Sequence, residues 1–518
     1  MKKITLIPLL LFLLQGLSAR ADVKLEAENA EHANCDVVTD SRYSGRKALK
    51  MTEGNAKVAF TFNSEKRQKY IVYVAGEGLG GEKQVSCRVN GTKGSFRLNT
   101  YAEVEVGTYI MQQGVNTIEI TPDWTWFAID YIRLASSEEL TLPFDISTSP
   151  VDPEATTACR VMYTFLLDNF GKRTISGMMT GEMGSSSSNV KLHTDVKAVY
   201  TASGKYPALI GFDFMNGTSD NTWDKDYTRS AVNLAKDTWR RGGLPNFTWH
   251  WRDPSHRTNE FYTNKTEMRI TDAMNEDGTW NTASALYKNI IKDIDIVADY
   301  FLELQRAGMA CSFRPLHEAS GGWFWWGREG AAPFKKLYHL IYKEMTEVKG
   351  VHNVIWIWNA GANDKDWNPG EEYYDVISAD IYNADFDYSS NYPDFDKLRT
   401  LSGGRKIIAL SENGPVPDIQ KCEDEDAMWS WWMPWYNTWG GKFVSKTSQE
   451  EWKKVMSDPR VITLEDLSQG WVAYTSISAP LRQEPVRHML FTLDGRLLQN
   501  LPDKGGIYIR NGEKRMRD

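Results

Sequence analysis

Several features that mark particular protein classes are scarce in this sequence. Only five cysteines occur in 518 residues, and their spacing matches no metal-binding motif. The formal net charge is −8, so the chain has no cationic surplus for neutralising nucleic-acid phosphates. Beyond the N-terminus, no apolar run reaches the roughly 18 residues that a membrane-spanning helix needs. Composition therefore argues against a nucleic-acid partner and against a membrane span.

The low cysteine content also limits the disulfides. An odd number leaves at least one free thiol unless a partner chain is involved. Cys35 and Cys87 could bridge within the first domain, but sequence alone does not give the connectivity.

Tryptophan, by contrast, is abundant, with 20 residues. An indole ring stacks on the apolar face of a pyranose, and its N–H can bind a sugar hydroxyl. Core packing is the other use of tryptophan, and we expect both uses here.

The first 21 residues have the pattern of a cleaved signal peptide. Lys2 and Lys3 precede a largely apolar run from Ile4 to Leu14. Ala19-Arg20-Ala21 then fits the small-x-small cleavage pattern. The first cysteine, Cys35, comes too late for lipid attachment after that run. We therefore expect a soluble exported protein, secreted or periplasmic.

The remaining chain changes its pattern three times. Residues 23–136 contain short β-branched and aromatic runs without a long helix, and Asn90-Gly91 is a hairpin signal, which together predict a β-sandwich. Residues 137–155 have the Pro and Ser content of a linker. Strands and helices alternate over residues 156–468. Short β-like segments return in residues 469–518 and predict a small C-terminal β tail.

The alternating region predicts a (β/α)8 barrel, because eight candidate strands are separated by helical stretches. An open doubly wound sheet is the alternative, but no Gly-rich phosphate loop follows the first strand. The eight predicted strands are residues 174–178, 208–212, 245–249, 310–316, 353–358, 375–382, 406–411 and 429–435.

Two glutamates stand where a barrel enzyme carries its chemistry, at the carboxyl ends of strands. Glu318 ends the fourth strand and Glu412 ends the seventh. Glycoside hydrolysis needs such a pair, with one carboxyl group protonating the leaving oxygen and its partner attacking the anomeric carbon. A salt-bridge role for one glutamate is the alternative.

Other residues beside these strand ends are candidates for holding the pair and the sugar. Arg314 is expected to point inward and keep Glu412 ionised, and Tyr382 to reach the same carboxylate. The remaining predicted substrate contacts are His250, Trp251, His317, Trp323, Trp326 and Trp435.

The motifs in this region resemble glycoside hydrolase family 26. Arg314-Pro-Leu-His-Glu318 with Gly321-Gly-Trp-Phe-Trp-Trp-Gly327 looks like the acid/base motif of that family, and Ser411-Glu-Asn-Gly414 resembles its nucleophile motif. Trp249-His-Trp251 and Asp380-Ile-Tyr382 also match. The resemblance implies Glu318 as acid/base and Glu412 as nucleophile, acting with retention and without a catalytic cofactor. It also implies that His250, His317, Trp323, Tyr382 and Trp435 line the subsites beside the cleaved bond.

The N-terminal region is similar to carbohydrate-binding modules of families 35 and 6. Leu25-Glu-Ala-Glu28 and Ala128-Ile-Asp-Tyr-Ile132 carry that similarity. It implies that Glu26, Glu28 and Asp130 bind a structural Ca²⁺, for which carboxylate oxygens are suitable ligands.

The C-terminal tail resembles the sorting tails of type IX secretion substrates in Bacteroidetes. Residues 506–514 carry the likeness, which implies delivery to the cell surface.

The family resemblance favours an endo-β-1,4-mannanase acting on mannan, glucomannan or galactomannan. Three alternatives stay open: a β-glucanase acting on mixed-linkage glucan, an exo-acting enzyme that releases mannobiose, and a non-catalytic polysaccharide-binding protein. The sequence gives no indication of oligomeric state.

Overall fold

The computed structural model describes residues 22–137, 143–183, 188–220, 225–361 and 364–467, together with four short strands nearer the C-terminus. The chain divides into two compact units, residues 1–470 and residues 471–518. No helix in the described part combines the length and apolarity that crossing a bilayer requires. The predicted signal peptide lies outside the described residues.

The N-terminal domain is a sandwich of two antiparallel sheets, as the sequence predicts. Its strands are β1 (Val23–Glu26), β2 (Glu31–Ala33), β3 (Asp36–Thr39), β4 (Lys47–Met51), β5 (Lys57–Ser64), β6 (Gln68–Gly78), β7 (Lys83–Val89), β8 (Thr92–Leu98), β9 (Ala102–Met111), β10 (Gly114–Pro122) and β11 (Phe127–Ser136). One sheet has the order β3-β4-β11-β6-β9 with β1 beside β11, and the other has the order β2-β5-β10-β7-β8.

Side-chain alternation explains the sandwich. In β5, Val58 and Phe60 are buried, whereas Thr61 is exposed to solvent. This alternation has the period of two that a half-buried strand shows. Asn90 and Gly91 have φ values of 50° and 85° and join β7 to β8 with Val89 opposite Thr92. This two-residue turn is the hairpin that Asn90-Gly91 predicts, because both positions need positive φ.

The second domain is a closed barrel of eight parallel strands, which confirms the predicted fold class. The strands run in sequence around the ring and close where β12 pairs with β13. They are β12 (Thr174–Met179), β13 (Leu209–Asp213), β14 (Leu244–Thr248), β15 (Cys311–Arg314), β16 (Val354–Asn359), β17 (Val376–Ile381), β18 (Ile407–Asn413) and β19 (Trp431–Pro434), with a short β20 (Val461–Ile462) beside β12.

Helices cover the outside of the barrel. Side chains cap the starts of several of them: the Ser284 hydroxyl accepts the Tyr287 N–H at 3.1 Å at the start of the longest helix, and Ser448 caps the last one in the same way. The helices are α1 (Thr157–Asn169), α2 (Thr194–Ser203), α3 (Lys225–Arg240), α4 (Ala285–Arg306), α5 (Ala331–Lys343), α6 (Tyr392–Leu401), α7 (Ile419–Asp424) and α8 (Gln449–Ser457).

The second unit contains a small antiparallel sheet of order β22-β21-β23-β24, which agrees with the predicted β tail. Its other residues lie outside the described part of the chain. The strands are β21 (Leu490–Phe491), β22 (Leu497–Leu498), β23 (Ile507–Arg510) and β24 (Glu513–Met516).

All five cysteines are free. The bridge considered between Cys35 and Cys87 is therefore wrong. Cys87 lies in the buried core of the sandwich, whereas the Cys35 thiol is partly exposed and bonded to the carbonyls of Ala33 and Lys57.

Candidate active site

Three carboxylates meet at the mouth of the barrel. One oxygen from each of Glu318, Asp380 and Glu412 lies within 4.8 Å of the other two. Glu412 and Asp380 lie in β18 and β17, near the carboxyl ends of these strands, while Glu318 follows β15. Because parallel strands deliver their carboxyl ends to one face, residues far apart in sequence converge there.

Glu412 is the more buried of the two glutamates, with 4% of its surface exposed. Arg314 Nη2 donates to one of its oxygens, and the Tyr382 hydroxyl donates to the other at 2.5 Å. Burial raises the pKa of Tyr382 well above its usual value, so the phenol keeps its proton as a donor. The two donors hold the Glu412 carboxylate in one orientation at the barrel mouth.

The backbone around Glu318 is unusual. Leu316 and Glu318 have φ values of 50° and 53°, in the left-handed region that residues other than glycine seldom adopt. The backbone N–H of Glu318 donates to Asn359 Oδ1 at 2.7 Å, and the Trp323 indole N–H donates to Glu318 Oε2 at 2.8 Å. Such strain is found where a structure fixes a side chain for function, and here it aims Glu318 across the mouth at Glu412.

Burial and the nearby charge of Glu412 raise the pKa of Glu318, against the lowering effect of the Trp323 hydrogen bond. A raised pKa keeps a proton on Glu318 for transfer to a leaving group. The two glutamates thus have different environments: Glu412 accepts from Arg314 and Tyr382, whereas Glu318 accepts from Trp323.

Asp380 is hydrogen-bonded to the same Arg314 guanidinium as Glu412. Arg314 Nη1 donates to Asp380 Oδ2 at 2.6 Å, and the arginine is fully buried. Burial raises the pKa of Asp380 well above its usual value although Arg314 opposes this. Since the guanidinium already bridges Asp380 and Glu412, it supplies the positive charge that a metal ion would supply in such an acidic group.

A second network lies beside the glutamates. His250 Nδ1 lies 2.6 Å from Asp213 Oδ2, and His250 Nε2 lies 3.1 Å from His317 Nε2. Burial lowers the pKa of His317 well below its usual value, so that ring is neutral. For His250, burial acts downward but Asp213 raises the pKa overall, which fixes a proton on Nδ1.

Aromatic rings border the mouth on two opposite sides. Trp323, which follows β15, is 47% exposed, and Trp439, which follows β19, is 52% exposed. β15 and β19 lie four strands apart in a ring of eight, and so face each other. Trp435, which directly follows β19, packs edge-on against His250, with ring centroids 5.8 Å apart.

The Trp439 side is rigidly built. Asp195 Oδ1 accepts the backbone N–H groups of Asn437 and Thr438 at 2.7 and 2.8 Å, which fixes the turn before Trp439. The Trp439 ring then stacks on Tyr227 with an interplanar angle of 17°. An exposed indole on a fixed turn is a suitable platform for a sugar ring.

Two predicted substrate contacts are wrong. Trp251 and Trp326 are both 0% exposed. The Trp251 indole donates to Asp293 Oδ2 and stacks on Trp249, and the Trp326 indole donates to the His317 carbonyl. Both rings pack beneath the site because their N–H groups find partners in the protein.

Arg314 points into the barrel and contacts Glu412, as the sequence predicts, but at 0% exposed it is not the substrate contact also expected of it. His317, predicted to contact the substrate, is 1% exposed and lies against His250 instead. The structure brings the other predicted residues, namely His250, Trp323, Tyr382 and Trp435, to the mouth beside the two glutamates.

Three polar residues of the site have no role among the sequence predictions: Asp213, Asn359 and Asp380, although Asp380 begins one of the matching motifs. Asp213 and Asn359 are the last residues of β13 and β16, and Asp380 is the last but one of β17. The rule that found Glu318 and Glu412, a polar residue at the exit of an apolar strand, selects these as well.

The sandwich contains the predicted calcium ligands. Glu26 Oε2, Glu28 Oε2 and Asp130 Oδ1 are buried oxygens that lack a hydrogen-bond partner. Their other bonds come from within the domain, for example from the Ser44 hydroxyl to Glu26 Oε1 at 2.8 Å. Among the residues that the structure describes, only the carboxylates at the barrel mouth form a group within 4.8 Å, so the sandwich trio is more open.

A parallel barrel whose mouth holds two close carboxyl groups at the ends of its fourth and seventh strands defines a retaining glycoside hydrolase. The model of glycosyl hydrolase family 26 matches residues 151–466, and the chain belongs to that family.

Relatives with known names support the assignment. A mannan endo-1,4-β-mannosidase of Thermothelomyces thermophilus is 31% identical over 437 residues, which is 81% of this chain and 84% of the relative. Mannan endo-1,4-β-mannosidase B of Piromyces sp. is 33% identical over 77% of this chain and 68% of its own length.

Solved structures extend the similarity to the sandwich. The Podospora anserina GH26-CBM35 β-(1,4)-mannanase has a TM-score of 0.58 at 29% identity and covers 87% of this chain and 99% of its own. The β-mannanase from a symbiotic protist of the termite Reticulitermes speratus, solved with gluco-manno-oligosaccharide, has a TM-score of 0.57 at 36% identity. It covers 62% of this chain and 98% of its own.

Proposed function

We propose that this protein is a retaining endo-β-1,4-mannanase that hydrolyses mannan, glucomannan or galactomannan. The observation that carries the proposal is that one carboxyl oxygen of Glu318 lies within 4.8 Å of one carboxyl oxygen of Glu412 in a family 26 barrel. Retaining glycosidases hold their carboxyl groups about 5–5.5 Å apart, whereas inverting enzymes need about 6.5–9.5 Å for a water molecule between them. The named relatives are mannan endo-1,4-β-mannosidases.

In the first step, Glu412 attacks the anomeric carbon while Glu318 donates its proton to the departing glycosidic oxygen. The C–O bond to the leaving sugar breaks, and a covalent glycosyl ester forms on Glu412. Tyr382 and Arg314 hold the attacking carboxylate in one orientation.

In the second step, Glu318 accepts a proton from water, which attacks the same carbon and releases Glu412. Esterification removes the negative charge of Glu412, which is one cause of the raised pKa of Glu318. The pKa of Glu318 therefore falls in the intermediate, when it must act as a base. Two carboxyl groups complete the reaction without a catalytic cofactor.

The two-sided aromatic border supports endo action. Trp323 and Trp439 flank the mouth on opposite sides, so sugars can bind on both sides of the cleaved bond. The described loops leave both rings about half exposed, as an extended chain requires.

Hydrolysis of mannohexaose, followed by NMR of the first product, tests the proposal. We expect the β-anomer first and fragments of several lengths. Reducing-sugar assays on glucomannan, lichenan and xylan test the substrate class. Cleavage of lichenan alone would refute the mannanase activity.

Glu412→Ala tests the nucleophile. We expect turnover to fall by about 10⁴-fold or more, since the covalent step is lost. Added azide should restore release of an activated mannoside as the α-azide, because the small anion replaces the missing carboxylate. Wild-type turnover in this variant would contradict the assignment.

We also propose that Glu26, Glu28 and Asp130 bind a structural Ca²⁺ in the sandwich. Their buried oxygens without hydrogen-bond partners are hard ligands of the kind that calcium takes. An ion bound only by the folded state at 100 times its Kd stabilises by about 2.7 kcal/mol. Chelation should lower the unfolding temperature of the wild type but not of Asp130→Asn, and equal responses would contradict the site.

Finally, we propose that the protein is exported by its first 21 residues and delivered to the cell surface by its C-terminal tail. Sequencing the N-terminus of the extracellular or surface-bound protein tests this. Mature protein beginning at Asp22 is the expected result, and retention of Met1 would contradict it.

A further inference from the structure

The loop after β17, residues 382–391, begins with the tyrosine that contacts the nucleophile. No helix or strand occurs between Ile381 and Tyr392, so contacts with neighbouring segments hold this loop. On the barrel side, the Phe386 N–H donates to the Lys446 carbonyl at 2.8 Å. Phe386 and Asn391 have φ values of 65° and 57°, and strained backbone of this kind persists only where its surroundings fix it.

The sandwich supplies one set of these contacts. Arg88, at the end of β7, donates to Asp387 Oδ2 at 2.7 Å, and Asp387 is only 9% exposed. Burial alone would raise the pKa of Asp387, but the bonds from Arg88 and Ser389 lower it, so the ion pair forms. The Lys93 N–H donates to the Ser389 hydroxyl at 3.2 Å, and that hydroxyl donates to Asp387 Oδ1 at 2.5 Å.

A buried carboxylate links the two domains next to these bonds. The Thr92 hydroxyl lies 2.7 and 2.8 Å from the two oxygens of Glu425, and the Ser390 hydroxyl donates to the same group. Thr92 is 0% and Glu425 8% exposed. A buried carboxylate without donors is costly, so the loop is favoured where Ser390 and Thr92 both reach it.

Further bonds continue the interface away from the loop. Lys69 pairs with Asp396 of α6 at 2.8 Å, and the Arg67 guanidinium donates to the Asp424 carbonyl at 2.7 Å. The sandwich therefore contacts the loop itself and the helix that follows it. A module on a free tether would make none of these contacts.

We propose that the β7–β8 hairpin, residues 88–93, is a positioning element for catalysis: it holds the loop of residues 382–391 so that the Tyr382 hydroxyl stays on Glu412. Arg88 and Thr92 are positioning residues and do not touch the substrate. This inference rests on the proposed function only for its kinetic readout, because loop order can be measured without turnover.

Arg88→Gln and Thr92→Val in the full chain test the proposal. We expect kcat on mannohexaose to fall about tenfold with KM little changed, since small displacements of catalytic groups affect the chemical step. Amide hydrogen exchange of residues 382–391 should become faster in both variants. Arg97→Gln is the matched control, because Arg97 bonds Gln84 and Glu82 within the same domain.

Tyr382→Phe completes the test through a double-mutant cycle. If the hairpin acts through the tyrosine hydroxyl, Thr92→Val should cost little further kcat in the Tyr382→Phe background. Additive losses, or unchanged exchange of the loop in Thr92→Val, would overturn the proposal. A wild type inactive on mannohexaose would instead refute the proposed function, leaving exchange to decide the positioning role.

Discussion

The indole N–H of Trp323 donates to Glu318, the residue proposed as the acid, at 2.8 Å, and we expect this single bond to affect the pH response of the enzyme. Burial and Glu412 raise the pKa of Glu318, while the Trp323 bond lowers it by stabilising the ionised form. The basic limb of the pH profile follows this pKa, because Glu318 must be protonated for the first step.

Trp323→Phe should therefore move the basic limb of kcat/KM to higher pH. The variant loses the donor and keeps an aromatic ring, so the pKa of Glu318 rises further. Initial rates on a soluble mannan between neutral and alkaline pH measure the limb. A limb that moves to lower pH would show that the indole acts on Glu318 in another way.

Arg314 is a second single residue with a large effect, because it is the counterion of two carboxylates in the site. It is fully buried between Asp380 and Glu412, so removing its charge leaves two carboxylates without a counterion. Arg314→Met should cost about 3–5 kcal/mol of unfolding free energy as well as activity. Chemical denaturation measures this loss, with Arg97→Met as the exposed control. Equal denaturation midpoints for the two variants would contradict the role of Arg314 as a buried counterion.

At the scale of elements, the turn after β19 presents Trp439 at one side of the mouth. Asp195 fixes the turn, so the ring is held in place before a substrate arrives. Because Glu318 is proposed to protonate the leaving sugar, we expect the sugars that remain on the enzyme in the first step to lie on the opposite side, towards Trp439.

Trp439→Ala should shift the products of mannohexaose toward a different chain length and raise KM by about 5- to 20-fold, as expected for one lost stacking ring. Mannotriose, which is too short to reach far from the cleaved bond, should be affected less. Chromatography of early products measures the shift. Equal losses on both substrates would show that Trp439 serves the fold instead.

The barrel strands and the polar residues at their carboxyl ends could be predicted from the sequence. Apolar runs separated by helical stretches defined the barrel, and the rule for strand exits selected Glu318, Glu412 and Tyr382. Side chains in a strand alternate, so their direction follows from their position.

The aromatic loop after Glu318 was not predictable in the same way. Phe324, Trp325 and Trp326 turn into the protein, and only Trp323 stays at the surface. The loop makes two short 3-10 turns, Ala319–Gly321 and Trp325–Gly327, in which the direction of a ring depends on which N–H finds a carbonyl. Such partners come from distant parts of the chain, as for Trp326 and the His317 carbonyl.

At the scale of the whole molecule, the sandwich and the barrel share buried polar contacts. Unfolding of either would leave Glu425 or Asp387 without its donors, which costs about 1–3 kcal/mol for each group. We therefore expect both domains to unfold in one transition. Hydrogen exchange in denaturant, followed for β6 and for β16, measures this; two separate midpoints would contradict the coupling.

The five unbridged thiols have a practical consequence for making the enzyme. Burial raises the pKa of all five above the usual value, to about 12 for Cys87, so alkylating reagents find little thiolate. Folding to the native state thus needs neither an oxidant nor a disulfide isomerase. A recombinant host with a reducing cytosol can therefore produce the protein. Dithiothreitol in the storage buffer should leave the preparation intact.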